Sequence, residues 1–273
     1  MNHNLEIVCV TMHQSDFSKI SEMNISSDVV FANQCDRTAY EELRFDGHTA
    51  KMISTETRGV GVNRNLAFDY ASGDICLFAD DDMRYDDGYE SVILNEFAEN
   101  PKADIIIFNI GTSTPEMGRM PTQIKRKKYM HTWSRNPYGA PRIALRRDAV
   151  LKSNIAFSTL FGGGCLFSNG EDSIWLRRMM SSGLKVMLSP KRIGDVSYAV
   201  STCYSDDPRE KLYTSGAITA ASSPKLLIPA YLFIYAVLRK PVSVSRKEAV
   251  KLFCAGMQGY KDLRSYKAFL MKG

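Results

Sequence analysis

Four runs in the first 80 residues are apolar almost without interruption, and nothing else in the chain restricts its fold as much. They are LEIVCVT (5–11), DVVFAN (28–33), AKMIST (50–55) and DICLFAD (74–80). A strand with one face in water alternates apolar and polar residues, whereas a near-continuous run belongs to a strand covered by helices on both faces, as in a parallel sheet. Between the third and fourth runs, VNRNLAFDYA repeats Val62, Leu66 and Tyr70 at helical spacing, with Gly73 as its stop. Strand, helix and strand make a βαβ crossover. Val92, Ile93, Glu96 and Phe97 predict a helix over Tyr89–Glu99, and ADIIIFNI adds a fifth strand, so the α/β alternation continues to about Ile110.

Beyond that point the pattern changes. Residues 111–135 are polar and basic, with KRKK at Lys125–Lys128, and read as a surface loop. Structure resumes at RIALRR (142–147). A glycine-rich stretch, FGGGCLFSNG (161–170), leads into the short helix EDSIWLRRMM. From Pro208 onward the pattern is helical, alternating apolar and basic residues. The expected division is a catalytic domain over 1–205, with a donor half of about 1–110 and an acceptor half of about 111–205, followed by a helical C-terminal region over 206–273.

With 273 residues, 44% of them hydrophobic, the chain can bury a full core. Its net charge of +5 is mild and its 30 acidic residues are interspersed with 35 basic ones, which argues against a nucleic-acid partner. Six scattered cysteines (Cys9, Cys35, Cys76, Cys165, Cys203, Cys254) form no C-x-x-C pair and read as reduced thiols. No two of the four histidines stand at a zinc-ligand spacing. MNHNLEIVCVTM lacks the features of a secretory signal, so a cytoplasmic chain is expected. The longest apolar stretch, Leu226–Leu238, is too short to span a bilayer. Flanked by Arg239 and Lys240, it suggests peripheral contact with the inner face of the cytoplasmic membrane instead.

The chemistry begins with Asp80, Asp81 and Asp82 at the end of the apolar run ICLFA. Open α/β sheets bind ligands at the carboxyl ends of their strands. Three adjacent carboxylates repel one another there, and a hard divalent cation that also holds phosphates relieves the repulsion.

The segment GVGVNRNLAFDYASGDICLFADDDM resembles the part of glycosyltransferase family 2 that joins an Arg-Asn helix to a D-x-D strand end. The resemblance covers roughly Leu5 to Val200. It implies the GT-A fold, a Rossmann-like mixed sheet flanked by helices, here with a helical C-terminal tail. It also implies that Asp80 contacts a nucleotide sugar, with Asp81 beside it, and that Asp82 coordinates Mg²⁺ or Mn²⁺ bridging the diphosphate, Asp80 being a second candidate ligand. Arg64 aligns with the family's helix arginine and joins the expected donor site, as does Arg58 at the preceding turn. The late histidine that some relatives place on the metal has no counterpart in DVSYAVST, which leaves water and diphosphate to complete the shell.

Glu171 and Asp172 resemble the family's E-D motif, which makes Asp172 the expected base for the acceptor hydroxyl and Glu171 its support. The first two strand ends, VTMHQ and ANQCD, depart from the usual family turns. Thr11, Asn33, Gln34 and Asp36 are still placed to meet the nucleobase with amide, hydroxyl and carboxylate groups. The expected function is inverting transfer of a sugar from a nucleoside-diphosphate sugar, a UDP-sugar by default, to a glycan or lipid-linked acceptor in capsule, exopolysaccharide or lipopolysaccharide assembly. The competing readings are a nucleotidyltransferase, which lacks its glycine-rich loop in TMHQSDFSKI, and a binding module without turnover.

Overall fold

The computed structural model describes residues 3–118, 120–132, 137–198, 207–238 and 243–271. Contacts divide the chain into two compact units that interleave in sequence. One takes 1–58, 62–157 and 175–201; the other takes 59–61, 158–174 and 202–273.

The first unit is built on ten strands: β1 (Leu5–Met12), β2 (Asp28–Gln34), β3 (Ala39–Phe45), β4 (His48–Thr55), β5 (Ile75–Asp80), β6 (Met83–Tyr85), β7 (Ile105–Thr112), β8 (Lys128–Tyr129), β9 (Ile143–Arg146) and β10 (Val186–Val196). They form one sheet in the order β3-β4-β2-β1-β5-β9-β7-β10-β6, with β8 also on β10. The four apolar runs are the parallel set β4, β2, β1 and β5. The sheet as a whole is mixed, because β9 inserts antiparallel between β5 and β7. Two antiparallel reversals return β7, and β10 beside it, to the direction of β5, so six strands end at one edge.

Alternation along each strand sorts side chains onto two cores. Ile7, Cys9, Phe31 and Leu77 face one side with Tyr89, Ile93 and Phe97 of the helix Tyr89–Glu99. Val8, Val30, Cys76 and Phe78 face the other with Ala67, Val150, Trp175 and Met179. These last four come from the helices Val60–Tyr70, Arg147–Ser153 and Glu171–Ser181. In chain order with the short Lys19–Glu22, the helices so far are α1 (Lys19–Glu22), α2 (Val60–Tyr70), α3 (Tyr89–Glu99), α4 (Arg147–Ser153) and α5 (Glu171–Ser181). On the second core Phe157 stacks on Trp175 at 4.8 Å, and Phe78 meets both rings edge-on.

The predicted stop at Gly73 has a packing cause. A Cβ there would lie 2.7 Å from the Cβ of Glu6, whose buried carboxylate accepts the backbone N–H groups of Ser72 (2.5 Å) and Gly73 (2.6 Å) just past the end of α2. Several strands escape the sequence pattern, among them β8, which lies within the stretch 111–135 read as a surface loop. β3, the exposed edge, reads AYEELRF, and β10 is broken by Pro190, Lys191 and Arg192, where its register on β7 shifts.

The second unit holds α6 (Pro208–Ser222), α7 (Ile228–Phe233), α8 (Arg246–Lys261) and α9 (Tyr266–Leu270). α6 and α8 approach backbone to backbone, since a Cβ on Gly216 would strike the Phe253 carbonyl and one on Gly256 the Tyr213 carbonyl. Their core includes Phe161, Phe167 and Ile174 together with Leu212, Tyr213, Leu252 and Tyr266. The C-terminal helices therefore share a core with the glycine-rich segment 158–174. Among the described residues no helix is long and apolar enough to cross a membrane.

Candidate active site

The shared strand edge gathers the polar ends of the parallel strands: Thr11 pairs in register with Asn33, Asn33 with Ser54, and Val10 with Asp80. At this edge the three aspartates diverge in role. Asp80 accepts from Arg64 Nη2 at 2.8 Å. Asp81 turns toward β1, where its Oδ2 accepts the Thr11 hydroxyl at 2.5 Å, while Lys19 Nζ donates to its carbonyl oxygen at 3.3 Å. Asp82 keeps a buried Oδ1 with no hydrogen-bond partner. Its carboxyl is pushed up to about 7, first by burial and then by the charges of Asp80 and Asp81. Its backbone carbonyl accepts the N–H of Ser197 just past β10, which pins the turn.

A buried, unsatisfied carboxylate oxygen beside two further carboxylates suits a hard dication. Among the described residues no three His, Cys, Asp or Glu converge as a ready-made cage. The protein thus offers a partial shell that phosphate and water oxygens can complete.

Arg64, expected on the donor, lies behind the site: it is 2% exposed, bound to Asp80, with its guanidinium carbon 5.5 Å from the Phe157 ring centre. It reaches the edge through Asp80. Asn33 is likewise fully buried. Its Oδ1 accepts the Gln14 N–H at 3.0 Å, and its Nδ2 donates to the Gln14 carbonyl (2.9 Å) and the Ser54 hydroxyl (3.0 Å). Its amide is occupied in holding the β1 loop to β2. Gln34 is half-buried and accepts from Asn63 at 3.3 Å, and Asn63 in turn accepts from Thr57 at 3.2 Å. Asp36 and Arg58 are exposed.

Three participants are not singled out in the sequence. Lys19 and Thr57 belong to no motif, Asn63 stands beside Arg64 in the crossover-helix segment, and the tertiary structure brings all three to this edge. His13, also exposed here, holds a left-handed φ of 55°, with its N–H on the Gln34 carbonyl at 3.0 Å.

The second unit presents Glu171 and Asp172 in the first turn of α5, both half-buried. Two glycines shape their approach. Gly170 (φ 109°) lies against the Ile218 side chain of α6 and accepts the Ile174 N–H at 3.0 Å. Gly162 (φ 108°) lies so close to the Glu171 carboxylate that a Cβ would come within 3.0 Å of its Cδ and 3.1 Å of its Oε2. The Gly163 carbonyl accepts the Val60 N–H at 3.0 Å.

Residues 29–157 match the family model described as glycosyl transferase family 2. Over that segment the chain carries the signature of glycosyltransferase family 2. No curated protein sequence matches it. Among solved structures it is similar to Staphylococcus aureus TarS 1–349 in complex with UDP-GlcNAc, with a TM-score of 0.60 at 11% identity over 96% of this chain and 93% of that one. The same TarS segment in complex with UDP gives 0.57 at 12% identity with the same coverage. A longer TarS structure gives 0.57 at 14% identity, covering 89% of this chain and 44% of that one. The fold is therefore GT-A, with the mixed sheet and the helical C-terminal region expected of it. Family model and motif coincide, since 29–157 contains Arg64 and all three aspartates.

Proposed function

We propose that the chain transfers a sugar, with inversion, from a nucleoside-diphosphate sugar to a hydroxyl of a glycan or lipid-linked saccharide. The reading rests on the divergence of Asp80, Asp81 and Asp82: two are bound by Arg64 and Thr11, and the third keeps an unsatisfied buried oxygen at the sheet edge. TarS has been crystallised with UDP-GlcNAc and with UDP, which supports a UDP-sugar as donor here.

In this reading Asp82, with Asp80 as second candidate, holds Mg²⁺ or Mn²⁺. The ion supplies charge neutralisation of the diphosphate leaving group. Arg64 orients Asp80 from behind. Asn33 and Gln34 shape the base pocket through the Gln14 loop and the Asn63 amide, with Asp36 at its rim, and Arg58 is an exposed cation for phosphate. Asp172 takes the acceptor proton as the hydroxyl attacks the anomeric carbon, and Glu171 steadies it. Binding both substrates in attack geometry provides much of the acceleration. A lipid-linked acceptor agrees with peripheral contact at the inner face of the cytoplasmic membrane.

The test is product analysis with a panel of UDP-, dTDP- and GDP-sugars, with and without Mn²⁺. Release of nucleoside diphosphate that rises with metal is expected, and Asp82→Ala should abolish the metal-stimulated part while the circular dichroism spectrum stays unchanged. Pyrophosphate release from a nucleoside triphosphate, or ordinary Mn²⁺-dependent turnover by Asp82→Ala, would overturn the assignment.

A further inference from the structure

Residues 226–238, LLIPAYLFIYAVL, carry no charge. They take in the end of the 3-10 turn Lys225–Leu227, then α7 and the π-helical turn Ile234–Leu238 that follows it. One side is committed to the second unit: Leu232 packs against its core, and the Tyr235 ring stacks on Phe253 of α8 at 6.1 Å. The other side is open, with Leu226 90%, Phe233 54% and Leu238 67% exposed. Pro229 and Ala230, also exposed, fill the helical spacing between Leu226 and Phe233. A helix apolar on every face normally lies inside protein or lipid. This one is covered on one side only.

Charge identifies the cover. Residues 206–273 hold twelve Lys and Arg against five Asp and Glu, whereas 1–205 hold 23 against 25, so the positive charge of the chain resides in its C-terminal quarter. Lys225, Lys247, Lys251, Lys261 and Lys267 are exposed and form no ion pair among the described residues. Arg239 and Lys240 follow the stripe in sequence and lie outside the described residues. A second copy of the chain would bring like charge against like. An anionic headgroup layer neutralises these cations, and the acyl boundary accepts the leucines and phenylalanine.

We infer that Leu226, Ala230, Phe233 and Leu238 form a docking surface for an anionic lipid bilayer. The surface deepens the lipid-linked acceptor reading, yet its test needs neither donor nor acceptor, so its failure leaves sugar transfer standing. The full chain is co-sedimented with vesicles of phosphatidylcholine alone and of phosphatidylcholine mixed with phosphatidylglycerol. Binding at least about tenfold tighter to the anionic vesicles, and weakening with salt, is expected. Leu226→Ser and Phe233→Ser, which alter exposed side chains and should leave the melting temperature unchanged, each cut that binding about tenfold. Folded protein that pellets with neither vesicle, or variants that bind as the parent does, would refute the surface. Sedimentation velocity without vesicles covers the rival occupant: a parent dimer made monomeric by Phe233→Ser would assign the stripe to a second copy.

Discussion

Arg64 shows how a buried cation can organise a carboxylate at a strand edge. Its guanidinium is removed from water and donates to Asp80, so deleting either partner removes a charge-assisted hydrogen bond from the strand edge. Arg64→Met should cost about 3 kcal/mol in urea denaturation, and adding Asp80→Asn should restore at least about 1 kcal/mol. Additive losses in that cycle would show that the pair is not coupled. Asp172 sits at the opposite extreme, a residue whose proposed value is chemical. Asp172→Asn is nearly isosteric, so donor affinity should hold while turnover falls by roughly 10²-fold or more. Unchanged turnover with weakened nucleotide binding would move Asp172 out of the base role. The thiols offer an independent check on burial. Cys9 is raised well above its usual range by burial and then by the charges of Asp81, Asp80 and Asp82, and burial likewise raises Cys76. Cys254 is exposed, and none of the five described cysteines is in a disulfide; Cys203 lies outside the described residues. In the native protein iodoacetamide should label Cys254 first and reach Cys9 and Cys76 only on unfolding, as mass spectrometry of the labelled peptides would show.

At the scale of elements, the glycine-rich loop is built by conformation and close approach together. Gly162 has a φ that side chains resist, and a Cβ there would meet Val60 as well as the Glu171 carboxylate. Gly162→Ala should cost roughly 1–3 kcal/mol of local strain and displace Glu171, lowering turnover while nucleotide affinity stays near that of the parent. Calorimetry of UDP binding beside steady-state rates separates the two, and a variant with parental turnover would show that the loop tolerates the shift. The same element ties the helical C-terminal region to the segment before α5. α6 places Ile218 against Gly170, immediately before the Glu171–Asp172 turn, so the C-terminal helices shape the segment that carries the proposed base.

Across the whole molecule, the two units have separate cores and carry different parts of the proposed reaction. The donor edge belongs to the first, and the glycine-rich loop with its acidic pair to the second. Gly256→Ala drives a methyl group into the Tyr213 carbonyl where α6 and α8 meet, a clash inside the second unit alone. Overpacking of this kind costs roughly 1–3 kcal/mol. Transfer activity should fall with the stability of the second unit, while UDP affinity, which the proposed function assigns to the strand edge, remains within about twofold of the parent. Equal loss of both would mean that the edge depends on the helices of the second unit for its own order.

Much of this was legible in the chain itself, and for a local reason. The near-continuous apolar runs, the helix between AKMIST and DICLFAD, and the aspartates closing a strand are adjacent residues whose pattern reports their own environment. From them came the α/β sheet, the strand-edge site and the family resemblance. What only the tertiary structure decided lies between residues distant in sequence. β9 reverses direction inside the sheet, and β10 hides its strand character behind Pro190, Lys191 and Arg192. Lys19 reaches Asp81 across 62 residues and Thr11 reaches it across 70, and no periodicity announces either contact. Asn33 and Arg64 have side chains suited to a nucleotide, and burial turns both inward onto protein groups. A residue type declares which bonds it can make; only packing decides whether protein or ligand receives them.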